Sequence, residues 1–147
     1  MSHFLRPSAD VTDGGWTRTP GGTQVDLWAV VDELAADDAD YIQSASAPAN
    51  DPCVLKLSSA DDPLSSSQHV VRYRYRKDLS GGSQIDLTVQ LRQGYVSESN
   101  LGLLIAQQVH SNIPAAITDG EFTLTAAEAD AISNYTNLFL RFVANQV

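Results

Sequence analysis

Asp37, Asp38 and Asp40 stand within four residues of one another, and hard cations such as calcium are held by several carboxylate and carbonyl oxygens brought together. An EF-hand loop, however, needs acids at alternate positions, a glycine at the sixth and a distant glutamate, and Asp37-Asp38-Ala39-Asp40 does not keep that spacing. The run reads as a solvated turn in which one acid meets an arginine, and no metal ligand is assigned. Serine, histidine and aspartate are all present, but the chain has no G-x-S-x-G elbow, and its three histidines, His3, His69 and His110, are scattered, so no Ser-His-Asp hydrolase is indicated. Glu98 and Glu121 are the loop glutamates that a retaining glycosidase could use, which would need them roughly 5 Å apart in a cleft; both read as surface acids. Cys53 lies in an apolar segment with no basic neighbour and reads as an inert core thiol. The expectation is no catalytic residue, no cofactor and no enzyme.

Arginine is the more informative charge. Arg72, Arg74, Arg76, Arg92 and Arg141 are five of the nine basic residues, and each falls on the polar side of an alternating segment. If those segments share a sheet, they build a cationic stripe suited to an acidic partner; the alternative is pairing within the chain, with Asp86, Asp40 or the helix acids. Trp16, Trp28, Tyr41 and Tyr95 could stack on sugar rings, although Trp28 sits in a helix register and Trp16 suits a packing role.

The elements that must position these residues follow from periodicity. Residues 1–26, with Gly14-Gly15 and Pro20-Gly21-Gly22, have no apolar period and read as an arm, with residues 27–147 as a single β-sandwich domain. Too poor in apolar groups to form a core, the arm is expected to lie against a neighbouring chain, anchored by Phe4, Leu5 and Arg6. Leu27, Val30, Val31 and Leu34 recur at helical spacing behind Asp26 as N-cap. Cys53–Leu57 is a strand. His69–Lys77 alternates Val71, Tyr73 and Tyr75 against Arg72, Arg74 and Arg76. Gln84–Arg92 alternates Ile85, Leu87, Val89 and Leu91 against Asp86, Thr88, Gln90 and Arg92, and the turn at Asp78–Gly82 suggests that the two strands form a hairpin. Leu101–Val109 places Leu101, Leu103, Ile105 and Val109 on one face. Phe122–Leu124 is extended, Thr125–Glu128 is a capping box, and Leu138–Ala144 alternates again. Strands joined by turn-rich loops, with one or two short helices and no βαβ rhythm, predict an all-β fold: an antiparallel, jelly-roll-like β-sandwich.

At 147 residues one core can form without disulfides or metal, and the lone Cys53 permits no internal disulfide. Fourteen of the eighteen acids are aspartate, and the net charge is −9. An acidic chain lacks the cations that release counterions from a phosphate backbone, so nucleic acid is not an expected partner. No apolar run reaches the roughly 18 residues of a membrane span, and the first residues lack the order of a signal peptide, so no membrane is expected.

Taken as a set, Arg6-Pro7, Asp10, Gly15-Trp16, Leu27-Trp28-Ala29, Asp32-Glu33 and Asp37 through Ile42 resemble the opening of β-sandwich domains found in phage and prophage virion proteins. Val71-Arg72-Tyr73-Arg74 and Leu87-Thr88-Val89-Gln90-Leu91 are similar to the family's central strands, and Leu124 through Ile132 with Tyr135, Leu138 and Arg141-Phe142 to its closing element. The resemblance implies a structural role: a capsid decoration or cement protein on the virion surface, made in the bacterial cytoplasm and bound to the major capsid protein or another virion protein. A homo-oligomer, preferably a trimer, and a fibre, spike or glycan-binding role are the further implications. The family carries no catalytic residues to transfer.

Overall fold

Where β-branched and aromatic residues alternate with polar ones, the chain is extended, and the extended segments find partners far away in sequence. The computed structural model describes residues 3–80 and 82–147; Met1 and Ser2 of the expected arm and Gly81 of the expected turn lie outside them. The strands are β1 (Pro7–Thr12), β2 (Thr17–Thr19), β3 (Tyr41–Gln43), β4 (Asp51–Leu57), β5 (Val70–Tyr75), β6 (Ile85–Gln93), β7 (Leu103–His110), β8 (Thr118–Thr123) and β9 (Leu138–Gln146), with one short helix, α1 (Ala126–Asp130). A five-stranded antiparallel sheet runs β1-β4-β9-β6-β7, while β2 pairs with β3 and β5 with β8. The fold is the all-β antiparallel sandwich that the periodicity predicts. Among the described residues no helix is long and apolar enough to cross a membrane.

The inner face of the large sheet carries the main core. Leu55, Leu87, Val89 and Ala144 pack with Cys53, Trp16 and Leu27, and Tyr73, Tyr75 and Phe122 of the β5–β8 pair close over them. Further along, Leu57, Leu91, Ile105 and Leu138 pack with Ala129, Ile132 and Tyr135, the residues in and after α1. The capping box forms as read: Thr125 Oγ1 accepts from Glu128 N–H at 3.2 Å, and the Glu128 carboxylate accepts from Thr125 N–H at 2.8 Å. The outer face is not bare, because the β6–β7 connection folds back and buries Tyr95 against Val54, Phe139 and Leu101. Gly102 makes that return possible: its φ is +67°, and a side chain there would meet the backbone of Gln93 and Gly94.

Four expectations are corrected. First, the described part of the expected arm, residues 3–26, is not separate from the sandwich: β1 is an edge strand paired with β4, from Pro7 opposite Leu57 to Thr12 opposite Val54, and β2 pairs with β3. The segment has few apolar residues because its order comes from backbone pairing and from Trp16, 7% exposed, whose Nε1–H donates to Asp51 O at 3.1 Å. Second, the expected helix from Leu27 to Leu34 is a single 3-10 turn, Leu27–Val30; Asp26 has φ 55° and makes no side-chain cap. The cap comes from β1, where the Asp10 carboxylate accepts from Leu27 N–H and Trp28 N–H, both at 2.9 Å. Third, β5 and β6 are not a hairpin. β5 pairs with β8 and β6 with β7 and β9, so the two strands lie in different layers. Fourth, a register shift opposite Leu91 and Arg92 reverses the faces of β7 partway along it, so Ile105 is buried while Val109, opposite Thr88, is 51% exposed; Leu103, at the start of the strand, is 50% exposed.

The Asp10 contact yields a test. Asp10→Ala leaves two backbone N–H groups without their partner, a loss of roughly 1–3 kcal/mol, or several degrees in Tm for a domain of this size. Deleting residues 2–12 removes β1 altogether and should lower Tm further, read by thermal melting; a truncated chain that melts with the full one would restore the arm.

Candidate functional site

β5 gathers most of the residues singled out by chemistry. Its pleat sends Val71, Tyr73 and Tyr75 into the interlayer space and leaves Arg72, Arg74 and Arg76 exposed, as the alternation predicts. The arginines do not face an empty surface. Arg72 lies opposite Glu121 and Arg74 opposite Asp119 in the β5–β8 register, and the pairs close as ion pairs: Arg72 Nε to Glu121 Oε2 at 2.8 Å and Arg74 Nε to Asp119 Oδ1 at 2.9 Å. Arg74 Nη1 also reaches Asp38 Oδ1 at 2.8 Å, tying the acidic turn to β5. Exposed pairs of this kind contribute about 0–1 kcal/mol each, so their effect is mainly to fix position. Arg76 forms no ion pair among the described residues.

Arg92 and Arg141 stand elsewhere, on the outer face of the large sheet, so no stripe of five arginines exists. Arg141 binds Glu98 through Nη2 at 2.6 Å and Nε at 3.0 Å, and Tyr95 OH donates to the same carboxylate at 2.8 Å. These bonds hold the Glu98 carboxyl below its ordinary range, the Arg141 hydrogen bond being the largest cause. Arg92, expected to be solvated, is 8% exposed; its Nε donates to Gln90 Oε1 at 2.8 Å, an oxygen that also accepts from Arg141. Burial first and the neighbouring Arg141 second press the Arg92 guanidinium below its ordinary value. Arg92 was misplaced because alternation assigns a side chain to a face but does not show what folds over that face.

A cleft of about 990 Å³ opens between the layers, lined among others by Tyr41, Tyr73, Tyr75, Phe142 and Trp16. Asp37, Asp38 and Asp40 stand along it with Arg72 and Arg74 of β5 and Arg76 just after that strand, so the structure brings together the acidic turn and the arginines that the sequence singled out separately. Asp37 Oδ1 accepts from Ala39 N–H at 2.9 Å, and among the described residues no group of three His, Cys, Asp or Glu side chains is placed to hold a metal ion. Nearby Glu33 has its carboxyl raised, chiefly by desolvation, with Asp32, Asp40 and Asp37 adding to it.

At the far wall of the interlayer space lies a contact that sequence reasoning missed. His110 of β7 sits between the β5 tyrosines, its Nε2 at 2.6 Å from Tyr73 OH and its Nδ1 at 3.2 Å from Tyr75 OH, with the Tyr75 ring 4.4 Å away centre to centre. A neutral imidazole donates from one nitrogen and accepts at the other, so one tyrosine hydroxyl donates a hydrogen bond to the ring and the other accepts one from it. Tyr73 reaches the ring across Gly120, its β8 partner; a Cβ at Gly120 would collide with the Tyr73 ring. Burial, with Tyr75 beside it, pushes the Tyr73 phenol up to about 12. The signal was the inward parity of His110, hidden by the register shift in β7.

The other residues considered for catalysis are committed within the fold. His69 Nε2 meets Tyr135 OH at 2.8 Å, and its Nδ1 meets Ser67 O at 3.1 Å. Cys53 is fully buried, and its thiol is pushed up, mainly by desolvation. Glu98 and Glu121 are each held by an arginine, on different sheets. Of the four aromatics considered for stacking, Trp16 and Tyr95 are buried at 7% and 4% exposure, while Trp28 and Tyr41 are half-buried. Leu5 packs on its own core, Arg6 N–H donates to Ser58 Oγ at 3.1 Å, and Phe4 is 70% exposed. No family model, curated protein or solved structure matches this chain.

His110 generates a pH prediction. Burial lowers its value below the ordinary one, so protonation favours the unfolded chain. Its contribution is present at neutral pH, declines as pH falls below the ordinary histidine value of about 6.5 and is lost below the folded-state value. Melting followed from pH 7.5 to 5 should show Tm falling more steeply for the wild type than for His110→Gln. Parallel curves would mean that the imidazole is not held neutral.

Proposed function

We propose that the chain is a structural module of a bacteriophage particle, seated on the outside of the shell as a decoration or cement subunit through contacts with the major capsid protein or another virion protein. The observation that carries this reading is the presentation of Phe4. Leu5 packed against the core and the Arg6 backbone N–H bonded to Ser58 fix its root, while the ring stands 70% exposed with the Arg6 guanidinium carbon 5.8 Å from its centre. An aromatic side chain on an ordered stem loses little freedom on docking, and Phe is among the side chains that dominate interface energetics. The resemblance of the sequence to virion β-sandwich domains points the same way. So does the commitment of His69, Glu98, Glu121 and Cys53 to internal partners, which suits contact rather than turnover.

The reading is tested on particles purified from the source cells. The wild-type chain should cosediment with them, and Phe4→Glu should lose at least tenfold in retention with Tm unchanged, since many identical contacts on one particle multiply a single loss. A wild-type chain that stays in the supernatant overturns the assignment; a Phe4→Glu chain retained as well as wild type removes Phe4 from the interface.

A second reading rests on the cleft. Half-buried Tyr41 together with Tyr73, Tyr75 and the rim carboxylates is a composition that suits a glycan, with aromatic faces for the ring and acceptors for hydroxyls. Selective binding of the isolated chain on a glycan array, lost in Tyr41→Ala, would favour this role.

A further inference from the structure

The longest stretch of the chain without Asp, Glu, Lys or Arg is residues 99–118, and it contains the whole of β7. β7 is also the terminal strand of the five-stranded sheet. Among the described residues no loop or helix backbone bonds to the segment from Leu104 to Val109; the one local cover is the Gln108 side-chain amide, 3.3 Å from Val109 O. Proteins blunt such edges with charges, prolines, bulges or covering loops. β7 has only the bulge, near one end, and it presents Leu104 and Val109 at 39% and 51% exposure.

The backbone phase of the free edge can be read from its neighbours. Gly94 N–H donates to Asn137 O and Val147 N–H to Gln84 O, both in the β6–β9 register. Even-numbered residues of β6 therefore bond to β9 and odd-numbered ones to β7. Carried across the β6–β7 register, this turns the N–H and C=O groups of Ala106, Gln108 and His110 toward β6. Those of Leu104, Gln107 and Val109 point away from the sheet. The side chains of these three all lie on the outer face, as the bond from Gln90 Nε2 to Gln107 Oε1 confirms for Gln107.

We propose that β7 pairs with β7 of a second copy of this chain, antiparallel about a two-fold axis at Gln107, joining the two large sheets into one. The pattern is self-complementary. With Gln107 opposite its symmetry mate, and the bulge taking up one residue, each Leu104 falls beside the partner's Val109 on the outer face, and the outward N–H and C=O groups meet. A two-fold contact of this kind is isologous and closes at two copies, unlike the trimer expected from the family resemblance. Charge argues for this edge over others: each copy carries −9, so copies approach most favourably where neither brings a charge, and added salt should strengthen the pairing by screening the remaining repulsion. The inference is independent of the particle reading.

Sedimentation equilibrium on the full chain tests it, with Gln107→Glu, Gln107→Lys and an equimolar mixture of the two. The wild type should move from 15.8 kDa toward twice that mass as concentration rises, more readily at higher salt. Each variant places like charges face to face at the axis and should self-associate at least tenfold more weakly while keeping the wild-type circular dichroism spectrum, and the mixture should recover the dimer. In the wild type, the amides of Leu104, Gln107 and Val109 should exchange more slowly as concentration rises, while those of the opposite edge, β1, do not change. A wild type that stays at 15.8 kDa leaves the edge to some other chain and overturns self-pairing. So do a three-copy species, a Gln107→Glu variant that associates like wild type, or a mixture that recovers nothing.

Discussion

The interaction on which the rest of this structure depends is the aspartate carboxylate accepting from backbone N–H groups that no strand can satisfy. A chain with many short strands and turns leaves such donors in number, and a buried or half-buried N–H without a partner is costly. Asp10 caps the 3-10 turn. Asp51 accepts from Gly15 and Ala45, and Asp37, Asp62, Asp78 and Asp86 accept from Ala39, Leu64, Ser80 and Asn112. Three of these reach across the chain: Asp10 joins the edge strand to the 3-10 turn, Asp51 joins β4 to the segments that flank β2 and β3, and Asp86 joins β6 to the loop after β7. The acidity of the chain is thus in large part a structural property. The Asp86 carboxyl shows the effect on titration, lying below its ordinary range chiefly because the Asn112 N–H favours its charged form.

A second consequence concerns how the layers are joined. The β5–β8 pair has no strand bonds to the large sheet, so apolar packing and the His110 contact with Tyr73 and Tyr75 hold it in place. The Arg74–Asp38 ion pair braces the opposite side, from the turn before β3 to β5. Between these two connections the interlayer space stays open as the cleft. On the outer face, the Arg92, Arg141, Gln90 and Glu98 network with Tyr95 fixes the β6–β7 connection over β4 and β9, leaving β7 as the uncovered edge.

Local signals in the sequence were reliable and distant ones were not. The alternation in β5, β6 and β9, the strand around Cys53 and the Thr125–Glu128 capping box depend on neighbours in sequence, and each was legible. The partner of β5 was not, because β8 contains Asp119-Gly120-Glu121, where glycine and two acids conceal a strand; Gly120 is needed only because the Tyr73 ring lies over it. Asp26 looked like a cap since it directly precedes Leu27, yet the carboxylate that does the capping lies 17 residues away in sequence. The amino-terminal segment looked like an arm because hydrophobic periodicity measures burial, and β1 is held mostly by backbone bonds. Of the residues proposed for contact, Phe4 stands exposed, Leu5 packs against the core, the Arg6 backbone bonds to Ser58 while its guanidinium lies beside the Phe4 ring, and Arg72 and Arg74 are paired with acids that a face assignment alone does not reveal.

The central claim, that aspartate-to-backbone contacts make the segment from β1 to the 3-10 turn an integral part of the sandwich, is tested most directly by native-state amide hydrogen exchange on the full chain. Gly15, Leu27 and Trp28 lie outside strands, yet their N–H groups are held by Asp51 and Asp10. The account predicts that these amides exchange only with the global opening that also releases β4, and that Asp10→Asn selectively speeds Leu27 and Trp28. Exchange at these positions at the rate of an unstructured chain, while β4 stays protected, would contradict it.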